Sequence, residues 1–204
     1  MNPWDVIVIG AGVIGTSVAY NLAALGAKRI LVLERDQIGS GTTAQSSGIL
    51  RTHYSVLENM ALAQQSWAIF ENFAEHLQDD EASAGLVRCG YLIASPEGPK
   101  LAPLREALAA QRARGISVSH LTQSEAADIL PICRFDDAAL IGFEPNAGFA
   151  DAYLVASSYA RAARRLGVKF MEGERVTRLN LHQSCVSGVE TTSGVYSAPV
   201  VIST

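Results

Sequence analysis

Hydrophobic residues change period repeatedly along this chain, and each change marks an element. The run "DVIVIG" (5–10) is short, β-branched and closed by a glycine, the pattern of a strand buried on both faces. Residues 13–25 switch to helical spacing, with Ile14, Val18, Leu22 and Leu25 in one row and Gly26 placed to end the helix. "RILVLE" (29–34) is a second buried strand and completes a β-α-β unit. A tract of Gly, Ser, Thr, Ala and Gln follows, and a helical pattern resumes over 57–76 with Leu62, Trp67, Phe70 and Phe73 apolar. Strands are expected at 86–95, 116–121 and 138–145, and helices at 100–115 and 122–131. Thr122 and Glu125 have capping-box spacing. Another helix is expected from Asp151, its cap, to a stop at Gly167, with short strands and turns from 169 onward.

This order predicts an α/β fold in which a Rossmann-like nucleotide-binding domain is interleaved with a mixed α+β domain. The charged, poorly periodic "QDDEAS" puts one boundary near 80, and the change of pattern near 150 puts another. Residues 1–80 are then the first part of the nucleotide domain, 81–150 the second domain, and 151–204 the return to the first. There is no internal repeat.

Composition narrows the function classes. The chain has 204 residues, 49% hydrophobic and 18% charged, which is globular rather than disordered. A net charge of −4 without a basic run gives no footprint for nucleic acid. The longest apolar region, "VIVIGAGVIGTSVAYNLAALGA", is broken by four glycines and Asn21, and reads as strand plus helix rather than as a membrane span. The start "MNPWD" lacks the basic end of a secretory signal. Cys89, Cys133 and Cys185 are odd in number and far apart, which argues against a disulfide framework or a metal site and for a reducing, cytoplasmic compartment. They are expected as small buried thiols, and His76, His120 and His182 as surface residues.

"GAGVIG" places Gly10, Gly12 and Gly15 as G-x-G-x-x-G between a strand and a helix. Gly10 permits the tight turn, Gly12 admits a pyrophosphate without a Cβ in the way, and Gly15 lets helix and strand pack closely. The helix N-terminus, at Val13 and Ile14, offers N–H groups and partial positive charge to the phosphates. Glu34, 19 residues beyond Gly15 at the end of the second strand, can accept hydrogen bonds from both hydroxyls of an adenosine ribose and repels a 2′-phosphate. The combination points to a dinucleotide; the motif alone does not separate NAD from FAD. The tract over 36–49 bears on that choice. Gly39, Gly41 and Gly48 allow close backbone approach, and Ser40, Thr42, Thr43, Ser46 and Ser47 supply hydroxyls suited to a phosphate and a polyol chain. A flexible surface loop of the same composition is an equal reading.

The stretch 5–55 resembles the N-terminus of the FAD-dependent amine oxidoreductases of the D-amino-acid-oxidase superfamily, and is most similar to the group of sarcosine oxidase β-subunit, dimethylglycine dehydrogenase and glycine oxidase. "NAGFADAYLVASSYARAARRLGVKFMEGERVTRL" and "VYSAPVVIST" resemble later segments of the same family, while 80–145 is only loosely similar. The resemblance implies an FAD-binding domain interleaved with a substrate domain. It also implies hydride transfer to flavin from the C–H beside the nitrogen of a small amine or amino acid, with oxygen or an electron carrier as acceptor and, by likeness to a β-subunit, a partner subunit. By the same resemblance Gly10, Gly12, Gly15 and Glu34 bind the ADP half and Arg35 flanks the adenine. Thr42, Thr43, Ser46, Ser47 and Gly48 line the path toward the flavin, and the Val176 backbone reads the adenine edge. Some relatives attach FAD through a histidine in this tract; Gln45 stands there, so noncovalent FAD is expected.

Arg51 follows the tract directly and can hold a substrate carboxylate or stabilise negative charge on a reduced flavin. His53 alternates with it and shares its face if the segment is extended, with Tyr54 pointing elsewhere. Arg51 as an ion pair at a helix C-terminus, and His53 as a satisfied, partly buried imidazole, are the alternatives. Against the family pattern, the strand "VVIST" is followed by no further substrate-domain or C-terminal FAD-binding segment, so the fold is expected to be truncated. A non-catalytic remnant or subunit that binds a dinucleotide is therefore a second reading, and an NAD-dependent dehydrogenase a weaker third.

Overall fold

The structure is a computed structural model that describes residues 3–204. In chain order the elements are β1 (Val6–Ile9), α1 (Val13–Ala24), β2 (Ile30–Leu33), a 3₁₀ turn (Thr42–Gln45), β3 (Ile49–Leu50), α2 (Leu57–Glu71), α3 (Phe73–Leu77), β4 (Tyr91–Pro96), α4 (Leu101–Ala113), β5 (Ser119–His120), α5 (Gln123–Ile129), β6 (Ala138–Glu144), β7 (Gly148–Phe149), α6 (Ala152–Arg165), β8 (Lys169–Met171), β9 (Val176–His182), β10 (Cys185–Thr191), β11 (Val195–Ser197) and β12 (Val200–Ser203). They fall into two compact units. One comprises the chain up to Ser47 with Phe73–Gly85 and Asp151–Thr204; the other comprises Gly48–Asn72 and Leu86–Ala150. Residues 48–72 thus group with 86–150, where the sequence alone puts its first boundary near 80. No helix among the described residues is long and apolar enough to cross a membrane.

The first unit is built on a parallel sheet ordered β12-β1-β2-β8. Val6 faces Val200 on one side and Ile30 on the other, and Leu31 faces Lys169. The unbroken apolar runs of β1 and β2 have their reason here: Ile7, Val8, Leu31, Val32 and Leu33 are essentially sealed from solvent. A second sheet, β11-β10-β9, is antiparallel, and its Val189 packs in one cluster with Ile7, Leu31 and Leu33. Helix α1 crosses from β1 to β2 and packs against α6. Its buried residues are Gly15, Thr16, Ala19, Tyr20 and Ala23, those of α6 include Ala156, Tyr159, Ala160 and Ala163, and Tyr20 meets Tyr159 edge to face at 5.6 Å. Of the larger apolar row read from sequence, Ile14 (64%) and Leu25 (87%) are exposed and Val18 and Leu22 only half-buried. Small side chains let the two helix backbones approach, so bulk does not mark the contact face. Asp151 caps α6 as expected, accepting from the N–H groups of Tyr153 and Leu154, each at 2.9 Å.

In the second unit, β6 is the middle strand of the antiparallel sheet β4-β6-β5. Leu140 on one face joins Leu104 and Leu108 of α4; Ile141 on the other joins Ala126 of α5 and Phe135. A Cβ on Gly142 would lie 2.7 Å from Leu108, so glycine here lets α4 sit close. The capping box of α5 forms with both of its bonds. The helix expected over 57–76 is two, interrupted at Asn72. The strand expected from 86 begins at Tyr91, with Val87 making only a single bridge to Phe149. All three cysteines are exposed rather than buried: Cys89 and Cys133 lie outside helices and strands, and Cys185 starts a hairpin strand.

Candidate functional site

The glycine turn has the geometry its spacing predicts. Gly10 has φ +101°, a conformation that disfavours any side chain. A Cβ on Gly15 would lie 2.0 Å from the Gly10 carbonyl oxygen, so strand end and helix start touch through backbone alone. A Cβ on Gly12 would come within 2.9 Å of Thr43 Oγ1. The start of α1 has no side-chain cap; Val13 N–H donates to Thr43 Oγ1 at 3.0 Å, and the N–H groups of Gly12, Ile14 and Gly15 have no carbonyl partner in the helix. Thr204 closes the other side, its hydroxyl donating to Ile9 O at 2.9 Å.

Glu34 is organised by backbone. One oxygen accepts from Ala11 N–H at 2.8 Å and the other from Asp36 N–H at 2.9 Å, which holds the carboxylate beside the turn with lone pairs to spare. Arg35 is exposed and pairs with Asp36. Glu174 is buried; the Thr191 hydroxyl holds its carboxyl below the usual range against the opposing effect of burial, and Ser193 adds to the first effect.

One cleft of about 640 Å³ gathers these groups within the first unit. Of the residues named from sequence it is lined by Gly10, Gly12, Val13, Ile14, Gly15, Glu34, Arg35, Thr42, Thr43, Ser46 and Val176. Gly41, read from sequence as a point of close backbone approach, lines it too, while sequence reading missed Glu174, Arg175 and Thr204. The signal for Thr204 is a small polar residue ending an apolar run, and it acquires meaning only once that run pairs beside β1. Ser47 and Gly48 are not among the lining residues. Gly48, with φ +64°, is demanded by a close strand: a Cβ there would sit 2.1 Å from Ala150 O.

Arg51 and His53 belong to the second unit, where a separate cleft of about 490 Å³ is lined by Leu50, Arg51, Tyr54, Leu62, Trp67 and Phe70 with four neighbours. The Arg51 guanidinium stacks on the rings of Tyr54 and Tyr91, 5.0 and 5.1 Å from their centres, and Nη1 donates to the His53 carbonyl at 2.7 Å. Among the described residues no carboxylate pairs with Arg51. Tyr54 does not point elsewhere, because strand alternation ends at Leu50 and 51–54 is irregular. His53 is 8% exposed, and its Nδ1 lies 2.8 Å from Gln111 Oε1.

Comparisons with known proteins give the family. The chain is 27% identical over 206 residues to the sarcosine oxidase subunit beta of an Arthrobacter species, covering 96% of this chain and 49% of that protein. It is 28% identical over 194 residues to the mitochondrial pyruvate dehydrogenase phosphatase regulatory subunit of Mus musculus, covering 93% of this chain and 21% of that protein. The crystal structure of glycine oxidase from Geobacillus kaustophilus superposes with a TM-score of 0.85 at 26% identity, over all of this chain and 55% of that one. The chain thus spans between about a fifth and a half of the length of the curated relatives it matches. The family described as DAO, FAD dependent oxidoreductase, matches residues 5–204, and the chain belongs to it.

Proposed function

We propose that this chain supplies the FAD-binding part of an oxidoreductase that oxidises the C–N bond of a small, sarcosine-like amine or amino acid. The observation that carries the reading is the gathering of a Cβ-free turn, an acidic ribose partner and a hydroxyl-lined continuation in one cleft. The residues fit an extended dinucleotide. Free N–H groups at the start of α1 suit a pyrophosphate, Glu34 suits the ribose, and Thr42, Thr43 and Ser46 extend the polar wall beyond the turn. Gln45 in the 3₁₀ turn offers only an amide, in keeping with noncovalent binding. FAD held by these residues would supply a hydride acceptor for the carbon beside an amine nitrogen. Arg51, between two aromatic rings and without a carboxylate partner, suits the carboxylate of such a substrate. The acceptor would be oxygen or an electron carrier, and the Arthrobacter relative's description as a β-subunit favours a partner subunit.

The mouse relative, described as a regulatory subunit, favours a second reading: a dinucleotide-binding subunit without turnover. Purified protein tests both. The first reading expects a yellow protein that releases intact FAD on denaturation and bleaches anaerobically with sarcosine, dimethylglycine, glycine or proline. Bound FAD that none of these reduces would support the second. A colourless protein stabilised by NAD and not by FAD would overturn the first reading and favour the NAD-dependent alternative.

A further inference from the structure

The segment carrying Arg51 and His53 is anchored by a buried polar chain. Glu144, at the end of β6, is 3% exposed, and Gln111, on α4, is fully buried. Glu144 Oε1 accepts from the Thr52 backbone N–H at 2.8 Å and from the Thr52 hydroxyl at 2.6 Å. Its Oε2 accepts from Gln111 Nε2 at 3.4 Å, and Gln111 Oε1 faces His53 Nδ1 at 2.8 Å. The hydrogen-bond logic runs one way. A carboxylate only accepts, so the Gln111 amide turns its NH2 toward Glu144 and its oxygen toward His53. An amide oxygen also only accepts, so Nδ1 of His53 carries a proton, and in the ring's neutral form the lone pair is then at Nε2.

We propose that Glu144 and Gln111 are positioning residues that hold His53 in its Nδ1–H tautomer, leaving Nε2 to accept from the N–H of an amine substrate. They also fix the backbone from which Arg51 extends. This rests on the amine-oxidising reading above. An apolar group of the same volume would fill this space without burying a carboxylate. What it would not do is select which ring nitrogen bears the proton. A neutral histidine in water prefers Nε2–H, so the relay reverses the ordinary choice. The Thr52 N–H bond holds the peptide group between Arg51 and Thr52, and the Arg51 bond to the His53 carbonyl holds the one that follows the ring.

Two-bond ¹H–¹⁵N correlations of the histidine rings in the ¹⁵N-labelled chain, at a pH where His53 is neutral, read the tautomer directly. Wild type is expected to show Nδ1–H as the dominant form. In Glu144→Gln the new amide keeps its oxygen on Thr52 and turns its NH2 to Gln111. Gln111 then flips, presents its own NH2 to His53, and the dominant form becomes Nε2–H. Gln111→Met removes the relay while leaving the Glu144–Thr52 bonds intact, and it also shifts His53 to Nε2–H, so the test survives if Glu144→Gln does not fold. A wild type dominated by Nε2–H, or a folded variant that keeps Nδ1–H, would overturn the proposal. In the flavin-loaded enzyme, Gln111→Met is expected to raise KM for the amine about tenfold with FAD content unchanged. The tautomer readout needs neither cofactor nor substrate, so it upholds or overturns the relay whatever the turnover assay returns.

Discussion

A single carboxylate does two jobs at Glu34. It accepts from Ala11 and Asp36, shaping the turn, and it faces the cleft where a ribose would lie. Hydrogen bonds to a charged group contribute about 1.5–3 kcal/mol each, so Glu34→Ala is expected to weaken FAD binding about tenfold to a hundredfold, read by flavin fluorescence titration. Gly15→Ala acts on the fold instead. Its Cβ has no room beside Gly10 O, and the cost is at least about 1–3 kcal/mol in denaturant unfolding. His76 responds to pH. Its Nε2 is buried without a partner, the rings of Tyr20 and Tyr159 pack at 5.7 and 6.1 Å, and burial holds its pKa below the usual 6.5. The unfolded chain therefore takes up the proton first on acidification, and stability is lost as pH falls from about 6.5 through the lower folded value. His76→Phe lacks that component, so its melting temperature should fall less than wild type between about pH 7.5 and about pH 5.

At the scale of elements, the two helix caps chosen by side-chain type were legible because capping is local chemistry. Asp151 and Thr122 each form the bonds their spacing implies. Asp151→Ala should cost about 1 kcal/mol, within a range of about 0.5–2, in the unfolding midpoint. The glycine turn and both central strands were legible for a similar reason: backbone conformation and burial on two faces leave direct marks on composition. The contact face of α1 was not. Its partner α6 lies more than a hundred residues away, and the fit between them is made by alanines, which carry no strong hydrophobic signal. Likewise Gln111, Glu144 and Thr52 sit on three separate stretches of chain, and no local pattern announces that they meet. The three cysteines misled by type: thiols are usually buried, but these fall in loops and at a hairpin end.

On the scale of the whole molecule, the parallel sheet joins the far ends of the chain. β1 takes one neighbour from β2 and the other from β12, whose Ser203 pairs with Ile9. Parallel partners this distant are closed late and slowly. Deleting residues 199–204 removes β12 and Thr204 and leaves one edge of β1 without its ladder. Such a chain is expected to melt at a clearly lower temperature and to lose FAD uptake, as scanning calorimetry and flavin absorbance would show. Thr204 also has a meaning for biosynthesis. A wall of the nucleotide cleft is the residue at position 204, while the turn it completes begins at position 10. A ribosome therefore releases the glycine loop long before this supporting side chain exists, so that wall of the cleft is absent until translation has passed the threonine.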